Sequence, residues 1–182
     1  MPAATSGLVA ACFSTNYATA RARFLLAATE AGARVDVLTN TVAVAPNDST
    51  LTTDVAVLGP TSGERALLVF SGTHGPEGFV GSAAQIALLR ELASRAEALS
   101  VRLVLVHAIN PWGFAHISRT TENNVDLNRN FVDWTQPLPE NPHYGELHDL
   151  FCVPEWNPRA LEQARVEREA WKERHGHSVY TD

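Results

Sequence analysis

The densest chemistry in this chain lies in Ser71-Gly72-Thr73-His74-Gly75-Pro76-Glu77-Gly78. His74 offers an imidazole nitrogen and Glu77, three positions on, a carboxylate. Two such ligands plus one more, with a coordination position left to water, make a catalytic zinc site. The glycines and proline around the pair read as a loop. It follows the apolar run Arg65–Ser71 and precedes a helical pattern from Gly81, so it falls at the carboxyl edge of a sheet, where open α/β sheets hold their ligands. An H-x-x-E pair also arises by chance, and a second polar cluster downstream is what lifts this one above that background.

That cluster is Arg119-Thr-Thr-Glu-Asn-Asn-Val-Asp126-Leu-Asn128-Arg129-Asn-Phe131, with two arginines, four asparagines and two acids in thirteen positions. Read alone it is a surface loop whose asparagines satisfy turns. Its chemistry suggests more. A guanidinium pairs bidentately with a carboxylate and an asparagine amide donates beside it, so Asn128 and Arg129 make a carboxylate clamp.

Elements to position these groups are legible in the hydrophobic periodicity. Helical spacing runs from about Thr15 to Ala31 and stops at Gly32. Strand patterns cover Arg34–Thr39, Asp54–Leu58, Arg65–Ser71 and Val101–Ala108, the last two apolar enough to be covered on both faces. Gly81–Ala98 is a helix with Ile86, Leu89 and Leu92 on its buried stripe. Asn110-Pro-Trp-Gly113 is a turn, prolines punctuate the chain from Pro137 to Pro158, and Pro158–Arg174 is a charged last helix with a solvated face. The order of helices and strands indicates an α/β fold.

Composition narrows the function classes. The 182 residues suffice for one domain with a substantial core. A net charge of −6 excludes a basic face for nucleic acid. Two cysteines, Cys12 and Cys152, make no disulfide framework and read as small buried hydrophobes. The start, Met1 to Gly7, lacks a positive n-region and no run is long enough to span a membrane, so a cytoplasmic protein is expected. The glycines near His74 form neither G-x-G-x-x-G nor a P-loop with its lysine, which argues against nucleotide binding.

Taken in order, His74-Gly-Pro-Glu77, Asn110-Pro-Trp-Gly113, Arg119 and Val125-Asp-Leu-Asn-Arg-Asn-Phe131 resemble the zinc carboxypeptidase clan, in the broad sense that includes aspartoacylase and succinylglutamate desuccinylase. The likeness is nearest to a bacterial branch known as a domain of unknown function, and it is firm over roughly residues 60 to 135. The resemblance implies a three-layer α/β/α sandwich with a mixed, largely parallel sheet (phosphorylase/hydrolase-like). It implies one zinc ion with His74 and Glu77 as two of three ligands. Asp126 would hold the first ligand histidine, Arg119 would polarise the scissile carbonyl, and Asn128 with Arg129 would grip the substrate's terminal carboxylate. The expected activity is hydrolysis of an amide next to a free carboxylate, in a peptide C-terminus or an N-acyl amino acid. Peptidases of the clan often carry an arginine where Pro76 stands, which leans toward a non-classical substrate.

The clan's third ligand, a later histidine, and its glutamate base have no matching motif here. Residues 1–182 are therefore expected to be a single α/β domain, the N-terminal part of a zinc carboxypeptidase-like catalytic domain or a truncated gene product, with an incomplete sheet whose edge invites self-association. The competing expectation is an inactive carboxylate-binding domain. His107 and His116 are weak candidates for the missing ligand. Solvated roles are expected for His143, His148, His175 and His177. Glu122 and Glu140 have nothing to place them near His74, and Trp112, Phe114, Phe131 and Trp134 are expected to pack beneath the loops.

Overall fold

The computed structural model describes residues 10–62, 65–138 and 140–176. The readings made on Met1–Gly7, Pro139 and His177 lie outside these residues. Two compact units divide the chain, residues 1–131 and 132–182.

In the first unit, helix α1 (Tyr17–Glu30) starts where Asn16 caps it, the Thr19 amide donating to Asn16 Oδ1 at 2.9 Å. It ends in a Schellman motif. Gly32 takes φ +70°, its amide donates to Thr29 O, and the Ala33 amide donates to Ala28 O. Strands β1 (Arg34–Val44), β2 (Thr50–Leu58), β3 (Ala66–Phe70) and β4 (Arg102–His107) form one sheet in the order β1-β2-β4-β3. The β1–β2 and β2–β4 pairings are antiparallel and β3–β4 is parallel, so the expected mixed sheet is present.

Helix α2 (Gly75–Leu92) links β3 to β4, and the short α3 (Pro111–His116) follows β4. Phe24, Ala27 and Ala28 of α1 and Ile86 and Leu89 of α2 pack on Ala56, Leu58, Leu103 and Leu105 of the sheet. Phe24, Ile86, Leu89 and Leu105 are fully buried, each worth roughly 1.5–3 kcal/mol of transfer free energy. A second cluster joins Tyr17, Leu51, Ala108 and Phe114. Among the described residues of this unit these helices gather on one face of the sheet, so two of the expected three layers are represented.

Several boundaries differ from the periodicity. Strand β1 runs on to Val44 through a register irregularity after Thr39, where Asn40 Oδ1 accepts from the Val42 and Ala43 amides. Strand β2 begins at Thr50, because its threonines hide a buried Leu51 and Thr52. Strand β3 is not covered on both faces. It lies at the sheet edge, with Leu67, Leu68 and Phe70 each about half exposed.

The second unit contains α4 (Tyr144–Phe151) and α5 (Pro158–His175). Asn157 caps α5 through the Ala160 amide at 2.9 Å, and Ala164 and Trp171 are its buried positions. The opposite side carries Glu162–Arg165 and Glu169–Lys172 ion pairs, as expected of a solvated face. Among the described residues no helix is long and apolar enough to cross a membrane.

Candidate metal centre

The segment around His74 is a helix start rather than a loop. His74 occupies the N-cap position of α2 in extended conformation, Pro76 sits in the first turn, and Glu77 is the acidic residue of that turn. Proline suits this position because its missing N–H would have no partner there, and a carboxylate is favoured by the helix's positive end. Gly75 is required for contact. A Cβ there would lie 1.8 Å from Gly113 O, while its amide donates to Ser118 O at 2.9 Å. Backbone thus meets backbone between α2 and both α3 and the residue two positions after it.

Asn110 explains the Asn-Pro-Trp-Gly motif. Buried, it caps α3 by accepting from the Gly113 amide at 2.8 Å, and its Nδ2 donates to Thr73 O at 3.4 Å and Thr120 O at 3.1 Å. One side chain therefore ties the residue before His74 to the residue after Arg119. Ser71 and Gln85 fix the strand end. Ser71 Oγ donates to Gln85 Oε1 at 3.0 Å, and Gln85 Nε2 donates to Val69 O and Val106 O.

These anchors bring four of the sequence-predicted groups into one chain. His74 Nδ1 lies 3.3 Å from Glu77 Oε1, and His74 Nε2 lies 3.2 Å from Asp126 Oδ1. Arg119 Nε donates to Asp126 Oδ2 at 2.9 Å, and the Asn128 amide donates to Asp126 Oδ1 at 2.9 Å. Burial raises the Asp126 pKa, but the bonds from His74, Arg119 and the Asn128 amide outweigh it and hold the carboxyl below its ordinary range. His74 and Asp126 are largely covered, with side chains 13% and 19% exposed, whereas Glu77 and Arg119 reach solvent.

Asn128 and Arg129 lie on the 3-10 turn Leu127–Arg129 that Asp126 caps, and both are exposed. Arg129 Nη1 donates to Asn128 O at 3.2 Å. They share a turn with Asp126, and through it are tethered to His74.

An imidazole nitrogen and a carboxylate oxygen 3.3 Å apart match adjacent ligands on tetrahedral zinc, which at bond lengths of about 2.0–2.2 Å stand roughly 3.3 Å from each other. The tautomer fits as well. Ionised Asp126 only accepts, so His74 Nε2 carries the proton and, in the neutral ring, Nδ1 presents a lone pair toward Glu77. Two acceptors face each other there, an arrangement that a cation or a second proton on the ring resolves.

His107 is not at this centre. Its Nε2 lies 2.9 Å from Ser82 Oγ, its ring stacks on Phe24 at 4.5 Å, and burial pushes its pKa down to about 4. Its Nδ1 is buried with no hydrogen-bond partner. His116 donates from Nε2 to Val44 O and stacks on Trp112, and Glu122 accepts from Asn40. Of the four aromatics expected to pack, Phe114 is buried, but Phe131 and Trp134, which lie outside the helices and strands, are 87% and 69% exposed. Cys12 is buried as expected and Cys152 is exposed.

Among the described residues, no group of three His, Cys, Asp or Glu ligand atoms within 4.8 Å of one another includes His74. One such group exists in the second unit, formed by His143, Glu146 and His175. Sequence reading gave both histidines solvated roles and missed it. The available signal was His143-Tyr-Gly-Glu146, the same H-x-x-E spacing as His74 and Glu77.

Comparisons with known proteins set this geometry in context. No curated protein matches the chain. Two solved structures resemble it, glutaminyl cyclases from Porphyromonas gingivalis and Tannerella forsythia, each 16% identical. The first match covers 56% of this chain and 48% of that one at a TM-score of 0.37, the second 84% and 55% at 0.41. The chain thus spans about half the length of either. A family model matches residues 13–182, nearly the whole sequence, and its description is protein of unknown function (DUF2817); the chain belongs to that family.

Proposed function

We propose that the first unit carries part of a zinc-dependent hydrolase centre that cleaves an amide bond next to a free carboxylate. The observation that carries this reading is the opposition of His74 Nδ1 and Glu77 Oε1 at 3.3 Å with Nε2 already engaged by Asp126. When bound, the ion supplies a lowered pKa for water and polarisation of the amide carbonyl. The residues supply the rest. Asp126 fixes the tautomer and orientation of His74. Arg119, held by Asp126 through Nε, keeps its terminal amino groups for charge developing on the carbonyl oxygen, a contribution of about 3 kcal/mol by analogy with oxyanion-hole deletions. Arg129 and Asn128 take the substrate carboxylate, in a peptide C-terminus or an N-acyl amino acid.

Zinc binding measured by calorimetry and native mass spectrometry tests this. His74→Ala is expected to remove one equivalent of zinc, and Asp126→Asn to weaken the same site roughly 10–100-fold, as loss of an outer-sphere partner does. Chelator-sensitive cleavage of N-acetyl amino acids or short peptides, lost in Arg119→Ala, would carry the hydrolase assignment. Unchanged zinc stoichiometry in His74→Ala would refute it.

A second reading is a carboxylate-binding domain without chemistry. The ligand count favours it, since His74 and Glu77 are two protein ligands where catalytic zinc sites use three. Binding of acyl amino acids that survives His74→Ala but not Arg129→Ala, with no turnover, would select it.

A further inference from the structure

The second unit repeats the local device of the first. His143 occupies the N-cap position of α4 and Glu146 is the acidic residue of its first turn, just as His74 and Glu77 stand on α2. Here a third ligand is present, His175 in the last turn of α5. One ligand atom from each of His143, Glu146 and His175 lies within 4.8 Å of the other two.

The surroundings are arranged as they are around a bound cation. His175 Nδ1 lies 3.0 Å from Trp171 O; a carbonyl only accepts, so Nδ1 carries the proton and, in the neutral ring, Nε2 keeps its lone pair. That Nε2 stands 3.9 Å from Glu146 Oε2. Glu146 is itself oriented, its Oε2 accepting from Trp171 Nε1 at 2.8 Å. Trp171 is buried and stacks on the His175 ring at 4.2 Å, with the His143 ring edge-on at 5.3 Å. His143 Nδ1 is buried and has no hydrogen-bond partner, and a buried imidazole nitrogen left so is destabilising until something binds it. Ligand histidines whose other nitrogen is bonded to a carbonyl, beside a carboxylate held by a donor, are the usual outer sphere of a protein metal site.

We infer that His143, Glu146 and His175 form a second divalent-cation site, one that clips the start of α4 to the end of α5. Two imidazoles and one carboxylate are a borderline donor set suited to zinc, and to cobalt as its probe. Neighbouring ligands on tetrahedral zinc stand roughly 3.3 Å apart, so binding draws the three atoms together by side-chain movement alone. Its part is structural reinforcement of a unit with few buried side chains.

The experiment uses the full chain with His74→Ala and Glu77→Ala, so that the two sites read out separately. Zinc titration followed by native mass spectrometry should give one equivalent, and cobalt should give the visible absorption of a four-coordinate ion. Adding His175→Ala should abolish the cobalt band and loosen zinc by more than about 100-fold, beyond the loss of an outer-sphere partner. Adding Glu146→Gln instead keeps an acceptor for Trp171 and should loosen zinc with the far-ultraviolet dichroism unchanged, which separates ligand loss from unfolding. Zinc should also raise the Tm of the His74→Ala, Glu77→Ala chain and leave that of the Glu146→Gln chain unmoved. The inference is overturned if the His74→Ala, Glu77→Ala chain takes up no zinc, or if Glu146→Gln and His175→Ala bind it as tightly as their parent.

Discussion

At the scale of single residues, the core of the first unit holds a paired charge and a histidine. Asp54 is fully buried and pairs bidentately with Arg21, Nε to Oδ2 at 2.8 Å and Nη2 to Oδ1 at 3.0 Å, with Thr52 Oγ1 donating to the same carboxylate. His107, opposite Asp54 on β4, is also buried, and its pKa of about 4 comes from burial, which Asp54 only partly offsets. The sign follows directly. The ring is neutral in the folded chain and takes a proton near pH 6.5 once unfolded, so its contribution is fully present above pH 6.5 and is lost as pH falls toward 4. The difference between about 4 and 6.5 sets a ceiling of about 3 kcal/mol. Urea titrations between pH 4 and 7 should show this loss for the native chain and a flatter profile for His107→Gln. Equal slopes in the two would remove His107 from the acid response.

Among the elements, helix α2 binds the centre to the fold. Gly75→Ala forces a Cβ into Gly113 O, and since backbone lies on both sides nothing flexible can yield. The expected destabilisation is about 3 kcal/mol, the upper end of overpacking costs, with zinc affinity at His74 falling in parallel; a variant with native Tm and native zinc binding would contradict the contact. This helix also shows why its start was illegible. Gly75, Pro76 and Gly78 have low helix propensity, and periodicity placed the helix at Gly81. Yet proline fits a first turn, and Gly75 and Gly78 are selected by what touches them, Gly113 O and the Phe114 ring. Propensity cannot register a neighbour 38 positions on. By contrast α1 was legible to within about two residues at its start and one at its end, because the stop at Gly32 acts locally. The pairing of His74 with Asp126 was legible through resemblance, not spacing. The cluster of His143, Glu146 and His175 was not, because it depends on two helices folding against each other within the second unit.

For the whole molecule, the open feature is β3. Its outer edge has no strand partner among the described residues, and Leu67, Leu68 and Phe70 are each about half exposed. Unpaired apolar edges template association, so sedimentation velocity is expected to show concentration-dependent self-association that Leu68→Lys reduces; a monomer at high concentration would argue against it. Every residue assigned to the first centre lies between positions 74 and 129, inside the first compact unit, and every ligand of the second lies beyond residue 132. Synthesis proceeds from the N-terminus and units fold as they emerge. The side chains assigned to the earlier centre therefore leave the ribosome before the ligands of the later one, so any uptake of cations by the two sites is ordered in time by translation itself.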